Sequence, residues 1–257
     1  MKTIVVKIGG SLAVEESKLL DFAAAAAEAA KEFRLAIVHG GGKDINANLA
    51  LLNEEPKFID GLRVTTPAIM NMVEMTLSGA VNKKLVRMLL ANNANVAGIS
   101  GVDAKLLEAK PLKGKGDLGA VGDIVKVNTQ ILETFFAANI TPVISPVSYG
   151  DGISYNVNAD TAASEIAIAL KADSFVLISD ISGVLDGNKK IIPHLNKELA
   201  NSLIKSGVIS GGMIPKVQGA LESIERGLKS IHIVGWEGAE AFKRQIAGNA
   251  NSGTIIG

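Results

Sequence analysis

The chain contains no cysteine, which excludes disulfides, thiol nucleophiles and Cys-ligated zinc or iron–sulfur centres. Its histidines, His39, His194 and His232, are too scattered for a local HxxH or HExxH metal site, so a metal, if used, arrives with a ligand. Net charge is lacking too. The 26 basic side chains balance 26 acidic ones, leaving no global field to draw nucleic acid or an anionic membrane, although a local basic pocket stays open. No apolar run has the length of a membrane span: TIVV (3–6) is broken by Lys7 and is too short for a signal-peptide core, and LLDFAAAAAEAAKEF is interrupted by Asp21, Glu28 and Lys31. There is no 20- to 50-residue repeat, low-complexity tract or proline-rich linker. These absences lead to the expectation of a cytoplasmic globular protein.

What is present is an ordinary globular composition, with 47% hydrophobic and 20% charged residues and 27 glycines in 257 positions, enough for one large α/β unit or two smaller ones. Short β-branched runs alternate with longer helix-forming segments. TIVVKI, LAIVH, NVAGIS, ITPVIS, SFVLIS and SIHIVG read as strands; Glu16 to Phe33, Pro67 to Ala91, Thr129 to Ala138, Ala159 to Lys171 and Ile214 to Gly227 read as helices. Alternating βα order implies an α/β fold, a three-layer αβα sandwich around a mostly parallel central sheet. LLEAKPLKGKGDLGAVGDIVKVN (106–128) and SYGDGISYNV (148–157) break that rhythm with the glycine spacing of hairpins, which predicts antiparallel additions at an edge or over a site. A two-lobed molecule on one continuous sheet is expected, with an N-terminal lobe over 1–172 and a C-terminal lobe over 173–257.

Several strand ends carry chemistry. In KIGGS, Lys7 sits near the tip of a strand, where its ammonium reaches solvent or an anion, and Gly9 and Gly10 let backbone N–H groups face the same space. Taken alone, an edge lysine before a glycine turn is common and is the favoured reading of this stretch over phosphate binding. AIVHGGGKD repeats the arrangement, with Gly40, Gly41 and Gly42 at a strand-to-helix junction where the helix dipole favours an anion. GKGDLG (114–119) formally matches G-x-G-x-x-G but follows no suitable strand and opens no helix, so it reads as a hairpin. GGGKD is no Walker A loop, because Asp44 stands where Ser or Thr is needed. In DGLRVT, Arg63 offers a planar fork for a carboxylate or phosphate, or simply sits in water. Asn156, Asn158 and Asp160 alternate in YNVNADTAA ahead of a helix, and capping accounts for one of them but not for three. FVLISDISGVLDG leaves a strand at Ser179 and Asp180. GVISGGMIPKV places Lys216 in a first helical turn, against the dipole, an arrangement suited to an anion at that terminus.

The order KIGG, HGGG, DGLRVT, NVNAD, SDISGVLDG and GGMIPK, running from Lys7 to the C-terminal SGTIIG, resembles the amino acid kinase family. DGLRVT with NVNAD narrows the likeness to members acting on N-acylated glutamate. The resemblance implies ATP-dependent phosphorylation of the γ-carboxylate of N-acetyl-L-glutamate in arginine biosynthesis, with Mg²⁺ bound mainly through the ATP phosphates. It implies that Lys7 contacts the transferred phosphoryl group, that Lys216 bridges leaving phosphate and transition state, and that Asp160 holds both lysines. Gly9, Gly10, Gly41 and Gly42 would offer backbone donors to phosphoryl oxygens; Gly41, Gly42, Arg63, Asn156 and Asn158 would hold the substrate. Ser179, Asp180, Gly183, Val184, Ile209, Gly211, Gly212, Met213 and Lys216 would form the nucleotide side.

Hexameric, arginine-inhibited relatives carry an N-terminal helix before the first strand, and its lack here implies the dimeric, arginine-insensitive type. The amphipathic segment Pro67 to Leu90, with Met70, Met72, Met75 and Leu77, is a dimer helix or core packing. Pro215 departs from the aliphatic residue often found before the lysine. N-Succinylglutamate, an aminoadipate derivative or isopentenyl phosphate as substrate, and a non-catalytic amino-acid and nucleotide sensor, are the competing readings. A PII-type regulator is not legible.

Overall fold

Strands and helices alternate along the chain as the two hydrophobic periods require. The computed structural model describes residues 1–9, 12, 15–248 and 252–257. The order begins β1 (Thr3–Ile8), α1 (Glu16–Ala29), β2 (Arg34–His39), α2 (Gly42–Leu51), β3 (Phe58–Ile59), β4 (Leu62–Arg63), α3 (Pro67–Glu74), a π-helical segment (Met75–Val81), α4 (Asn82–Ala91) and β5 (Val96–Gly101). It continues through β6 (Leu107–Pro111), β7 (Gly122–Val127), α5 (Gln130–Ala137), β8 (Thr141–Gly150), β9 (Ile153–Tyr155) and α6 (Ala159–Ala169). It closes with β10 (Ser174–Ile178), β11 (His194–Leu195), α7 (Lys197–Lys205), α8 (Met213–Glu225), β12 (Ile231–Val234), α9 (Ala239–Ala247) and β13 (Thr254–Ile256). This is the expected α/β architecture, a mostly parallel central sheet with helices on both sides. No helix among the described residues is long and apolar enough to cross a membrane.

Two compact units are present, Met1–Leu35 with Ser164–Gly257, and Ala36–Ala163. In the first, β10 lies between β1 and β12, parallel to both, with Ile8 opposite Ile178 and Ile178 opposite Val234. The strands therefore end level, and Gly9, Ser179 and Gly235 leave the sheet at one edge. The interiors of β1, β10 and β12 are buried on both faces, which is why they read as continuous apolar runs rather than alternating ones. The alanine-rich α1 turns Leu19, Phe22, Ala23, Ala26, Ala27 and Ala29 inward and packs beside α9. Phe22, Trp236 and Phe242 meet there edge-to-face or tilted, with ring centroids 5.6–5.8 Å apart, and Trp236 Nε1–H donates to Asp21 Oδ2 at 3.1 Å. Each such ring pair contributes about 0.5–1.5 kcal/mol beyond its buried area.

In the second unit β8 is parallel to β2 and β5, and its far half pairs with β9, antiparallel, and with β6. The β6–β7 and β8–β9 pairs are the two antiparallel additions expected from their glycines. Gly114, Gly116 and Gly119 of GKGDLG all take positive φ, and a Cβ on Gly119 would lie 2.3 Å from the Thr65 carbonyl oxygen, so these glycines serve the β6–β7 connection.

The segment 67–91 is helical, as its period implies. Thr66 caps it by accepting from Ile69 N–H, and Pro67 occupies the first helical position, where no N–H is needed. Its middle is a π-helix over Met75–Val81, however, which the sequence period does not foretell. The wider turn brings polar side chains to the buried side: Thr76 accepts from Asn48 Nδ2–H, Ser78 meets Ser145, and Asn82 is fully buried. Met70 and Leu77 belong to a core cluster with Ile45, Leu49, Ile69, Val73 and Val147, and Met72 packs against it, whereas Met75 is 60% exposed.

Candidate active site

A cleft of about 220 Å³ opens in the second unit at the junction of β2 and α2. Gly40, Gly41 and Gly42 line it, and Gly41 and Gly42 start α2, whose first-turn N–H groups have no partner within the helix. Gly41 packs closely, because a Cβ there would lie 2.6 Å from Leu77 Cδ2 and would push that side chain aside. The π segment thus presses Leu77 against the loop backbone.

Arg63 enters the cleft from a hairpin. Asp60 and Gly61 between β3 and β4 both take positive φ, 49° and 77°, the two-residue turn that Asp-Gly favours. The side chain is buried. Its Nη2–H donates to Asn46 Oδ1 at 2.6 Å and the Gly42 carbonyl at 3.3 Å, and its guanidinium lies 4.9 Å from the centre of the Phe58 ring. Nη1 is buried with no hydrogen-bond partner among the described residues. Burial pushes the guanidinium pKa below its ordinary value, yet arginine stays charged, so a desolvated cationic donor is held ready for an anion.

Thr65 ties this hairpin to the NVNAD segment. It is fully buried, its Oγ1–H donates to the Arg63 carbonyl, and it accepts from Asn156 Nδ2–H at 3.0 Å. The Asn156 backbone is hydrogen-bonded to Ala120 and Gly122, while Thr65 pairs with Leu118 and Ala120. Asn156 is therefore locked with its Oδ1 left to accept. Asn158 Oδ1 accepts from the N–H groups of Asp160 and Thr161 at 2.8 and 3.3 Å, which makes Asn158 the cap of α6 as well as a lining residue. The structure thus gathers Gly41, Gly42, Arg63, Asn156 and Asn158 around one cleft. Ile45, Phe58, Leu62, Leu77, Val121 and Pro146 supply its apolar walls. Asn46 and Thr65, which position Arg63 and Asn156, carry no signal of their own in the sequence.

In the first unit Lys7 is buried near the end of β1. A Cβ on Gly9 would lie 2.2 Å from Lys7 Nζ, so the glycine makes room for the ammonium to fold against the backbone after the strand. Gly10 lies outside the described residues. Ser179 and Asp180 follow β10, and Ser179 N–H donates to the Val234 carbonyl. Gly183 packs within 2.9 Å of Ile191 and Thr254 at its would-be Cβ, Val184 is buried with its N–H on Thr254 Oγ1, and Ile209 is buried. Gly211 takes φ 55°, and Gly212 caps α8 without a side-chain bond. Met213 begins that helix and Lys216 lies in its first turn, with no acidic residue there. Pro215 is its third residue, where a missing N–H breaks no intrahelical bond. Asp160 is in the first turn of α6.

Residues 2–235 match the amino acid kinase family. The chain is 45% identical over 235 residues to an acetylglutamate kinase of Campylobacter hominis, covering 91% of this chain and 83% of that one. It is 42% identical to an acetylglutamate kinase of Caldanaerobacter subterraneus subsp. tengcongensis, covering 100% and 87%. The crystal structure of smu.665 from Streptococcus mutans UA159 superposes with a TM-score of 0.81 at 29% identity, covering 99% of this chain and 98% of that one. Motif order, α/β architecture and likeness along almost the whole chain lead to one statement: the protein belongs to the amino acid kinase family.

Proposed function

We infer that the protein is an ATP-dependent acetylglutamate kinase, which phosphorylates the γ-carboxylate of N-acetyl-L-glutamate to give N-acetylglutamyl 5-phosphate and ADP. The observation that carries this reading is the meeting of Arg63, Asn156 and Asn158, from two separate motifs, beside the N-terminus of α2. Full-length likeness to relatives bearing that name supports the choice of substrate.

A γ-carboxylate oxygen attacks the terminal phosphorus of ATP, an O–P bond forms, the bond to the bridging oxygen breaks, and ADP leaves without a covalent enzyme intermediate. Positioning and charge neutralisation carry such a transfer. In this reading the unpartnered Arg63 Nη1 takes the α-carboxylate, and Asn156 Oδ1 accepts from the acylated amide. Gly41 N–H faces the transferred oxygens, and Gly9, Gly10 and Gly42 have the role of further backbone donors to them. Lys7 neutralises the transferred group, Lys216 the leaving phosphate, and Asp160 orients both ammonium groups. Ser179, Asp180, Gly183, Val184, Ile209 and Gly211 to Met213 receive the nucleotide. Magnesium enters on the ATP phosphates and offsets their charge. The acylated-amino-acid and dimerisation lobe falls within residues 1–172 and the ATP lobe takes in 173–257, in a cytoplasmic homodimer; exposed Met75 and Leu90 on the 67–91 helix support pairing there.

ADP release is to be measured with ATP, magnesium and either N-acetyl-L-glutamate, N-succinyl-L-glutamate, free glutamate or isopentenyl phosphate. Turnover on N-acetyl-L-glutamate, lost in Lys7→Ala, is expected. Silence on every acylated glutamate, with ATP still bound in calorimetry, overturns the reading.

A further inference from the structure

His39 ends β2 directly before the three glycines, is fully buried, and has no part in the chemistry above. Its surroundings leave one arrangement of protons. Asn82, also fully buried, turns Nδ2 toward the carbonyls of Val143 at 2.9 Å and Ile99 at 3.3 Å, groups that only accept. Its Oδ1 accepts from the Lys83 ammonium at 2.9 Å, and that ammonium also donates to the Gly98 carbonyl. Gly98 makes this possible, since a Cβ there would lie 2.0 Å from Asn82 Oδ1. The amide is therefore unable to flip; of its two N–H groups one serves the Val143 carbonyl and the other, shared with the longer Ile99 contact, faces His39 Nε2 at 3.1 Å as a donor. Nε2 must accept, so the proton is on Nδ1, and Nδ1–H donates to the Gly40 carbonyl at 2.9 Å.

That last bond bears on the site. The Gly40 carbonyl and the Gly41 N–H belong to one trans peptide and point in opposite directions. Holding the carbonyl on the buried histidine aims the Gly41 N–H away from it, on the loop that lines the cleft.

We propose that Asn82 and His39 are positioning residues for phosphoryl transfer: anchored by Val143, Ile99 and Lys83, Asn82 holds His39 in its Nδ1–H form, and His39 orients the Gly40–Gly41 peptide so that Gly41 N–H meets the transferred oxygens. This rests on the kinase reading above. Neither residue touches substrate.

Nitrogen-15 NMR of the wild-type imidazoles tests the tautomer without any substrate; His39 is expected as neutral Nδ1–H, and a neutral Nε2–H form overturns the proposal. Kinetics test its use. His39→Leu and Asn82→Leu should lower kcat about 10- to 100-fold, less than the roughly 10²–10³ for deleting an oxyanion donor outright, with the KM for ATP unchanged. His39→Asn, whose amide N–H can reach the same carbonyl, should recover most of the loss. Folded leucine variants with wild-type kcat, or a folded His39→Asn as slow as His39→Leu, overturn the proposal. Should the leucine variants fail to fold, the wild-type tautomer and the His39→Asn rate decide it. An inactive wild type sinks the kinase reading instead, while the tautomer remains measurable.

Discussion

Acid should destabilise this fold through His39 before its carboxylates titrate. Burial is the main cause, with the Lys83 charge adding to it and the Gly40 carbonyl opposing it, and together they lower the pKa from 6.5 to about 4. Between those values the unfolded chain binds a proton that the folded chain refuses. The stabilisation is thus complete above pH 6.5 and is lost as pH falls toward 4. One pKa unit is about 1.4 kcal/mol, so the total is about 3 kcal/mol and the part lost by about pH 5 is about 2 kcal/mol. That is a substantial fraction of the roughly 5–15 kcal/mol typical of a domain. Urea unfolding followed by circular dichroism at about pH 7.5 and about pH 5 reads it, with His39→Asn as the reference that keeps a donor and removes the titration. His232, whose pKa burial also lowers, contributes alike to both proteins and cancels. Wild type should lose about 2 kcal/mol more than His39→Asn over this interval. Equal losses would refute the neutral, buried histidine.

Further predictions concern the cleft. Arg63→Leu should raise the KM for the acylated amino acid about 10- to 150-fold, the equivalent of a charge-assisted hydrogen bond of about 1.5–3 kcal/mol, and leave the KM for ATP alone; initial rates over both substrates check this. Gly41→Ala should cost about 1–3 kcal/mol through the Leu77 contact, and less than that in a Leu77→Ala background, so that thermal melts of the double variant show a loss smaller than the sum of the two single losses. Asn158→Ala removes two capping bonds from α6 and should cost about 1 kcal/mol, read as a lowered Tm.

Much of the site is legible because its signals are local. Asp60-Gly61 announces its hairpin through the positive φ that this dipeptide tolerates, and Asn158 announces its helix because a cap needs only the N–H groups two and three residues on. The strands β1, β10 and β12 are legible as apolar runs. The short β11 and β13 are not, since each exists only by pairing with a strand remote in sequence. The helix α9 buries Ala241, Phe242, Gln245 and Ile246, a helical spacing diluted by charged neighbours. The π segment has no period of its own; polar partners on α2 and β8, reached by Thr76 and Ser78, coincide with its wider turn.

By itself the sequence determined the alternation of strand and helix, the glycine turns at strand ends, and the lysines, arginine and asparagines placed there. Each follows from backbone preference or from side-chain chemistry within a few residues. Tertiary structure alone decided that β1 groups with residues 164–257, that Arg63 keeps one nitrogen buried with no partner among the described residues, and that His39 is neutral with its proton on Nδ1. Those outcomes depend on desolvation and on hydrogen-bond partners that only folding brings within reach: Asn46 for Arg63, Asn82 for His39, and Thr65 for Asn156.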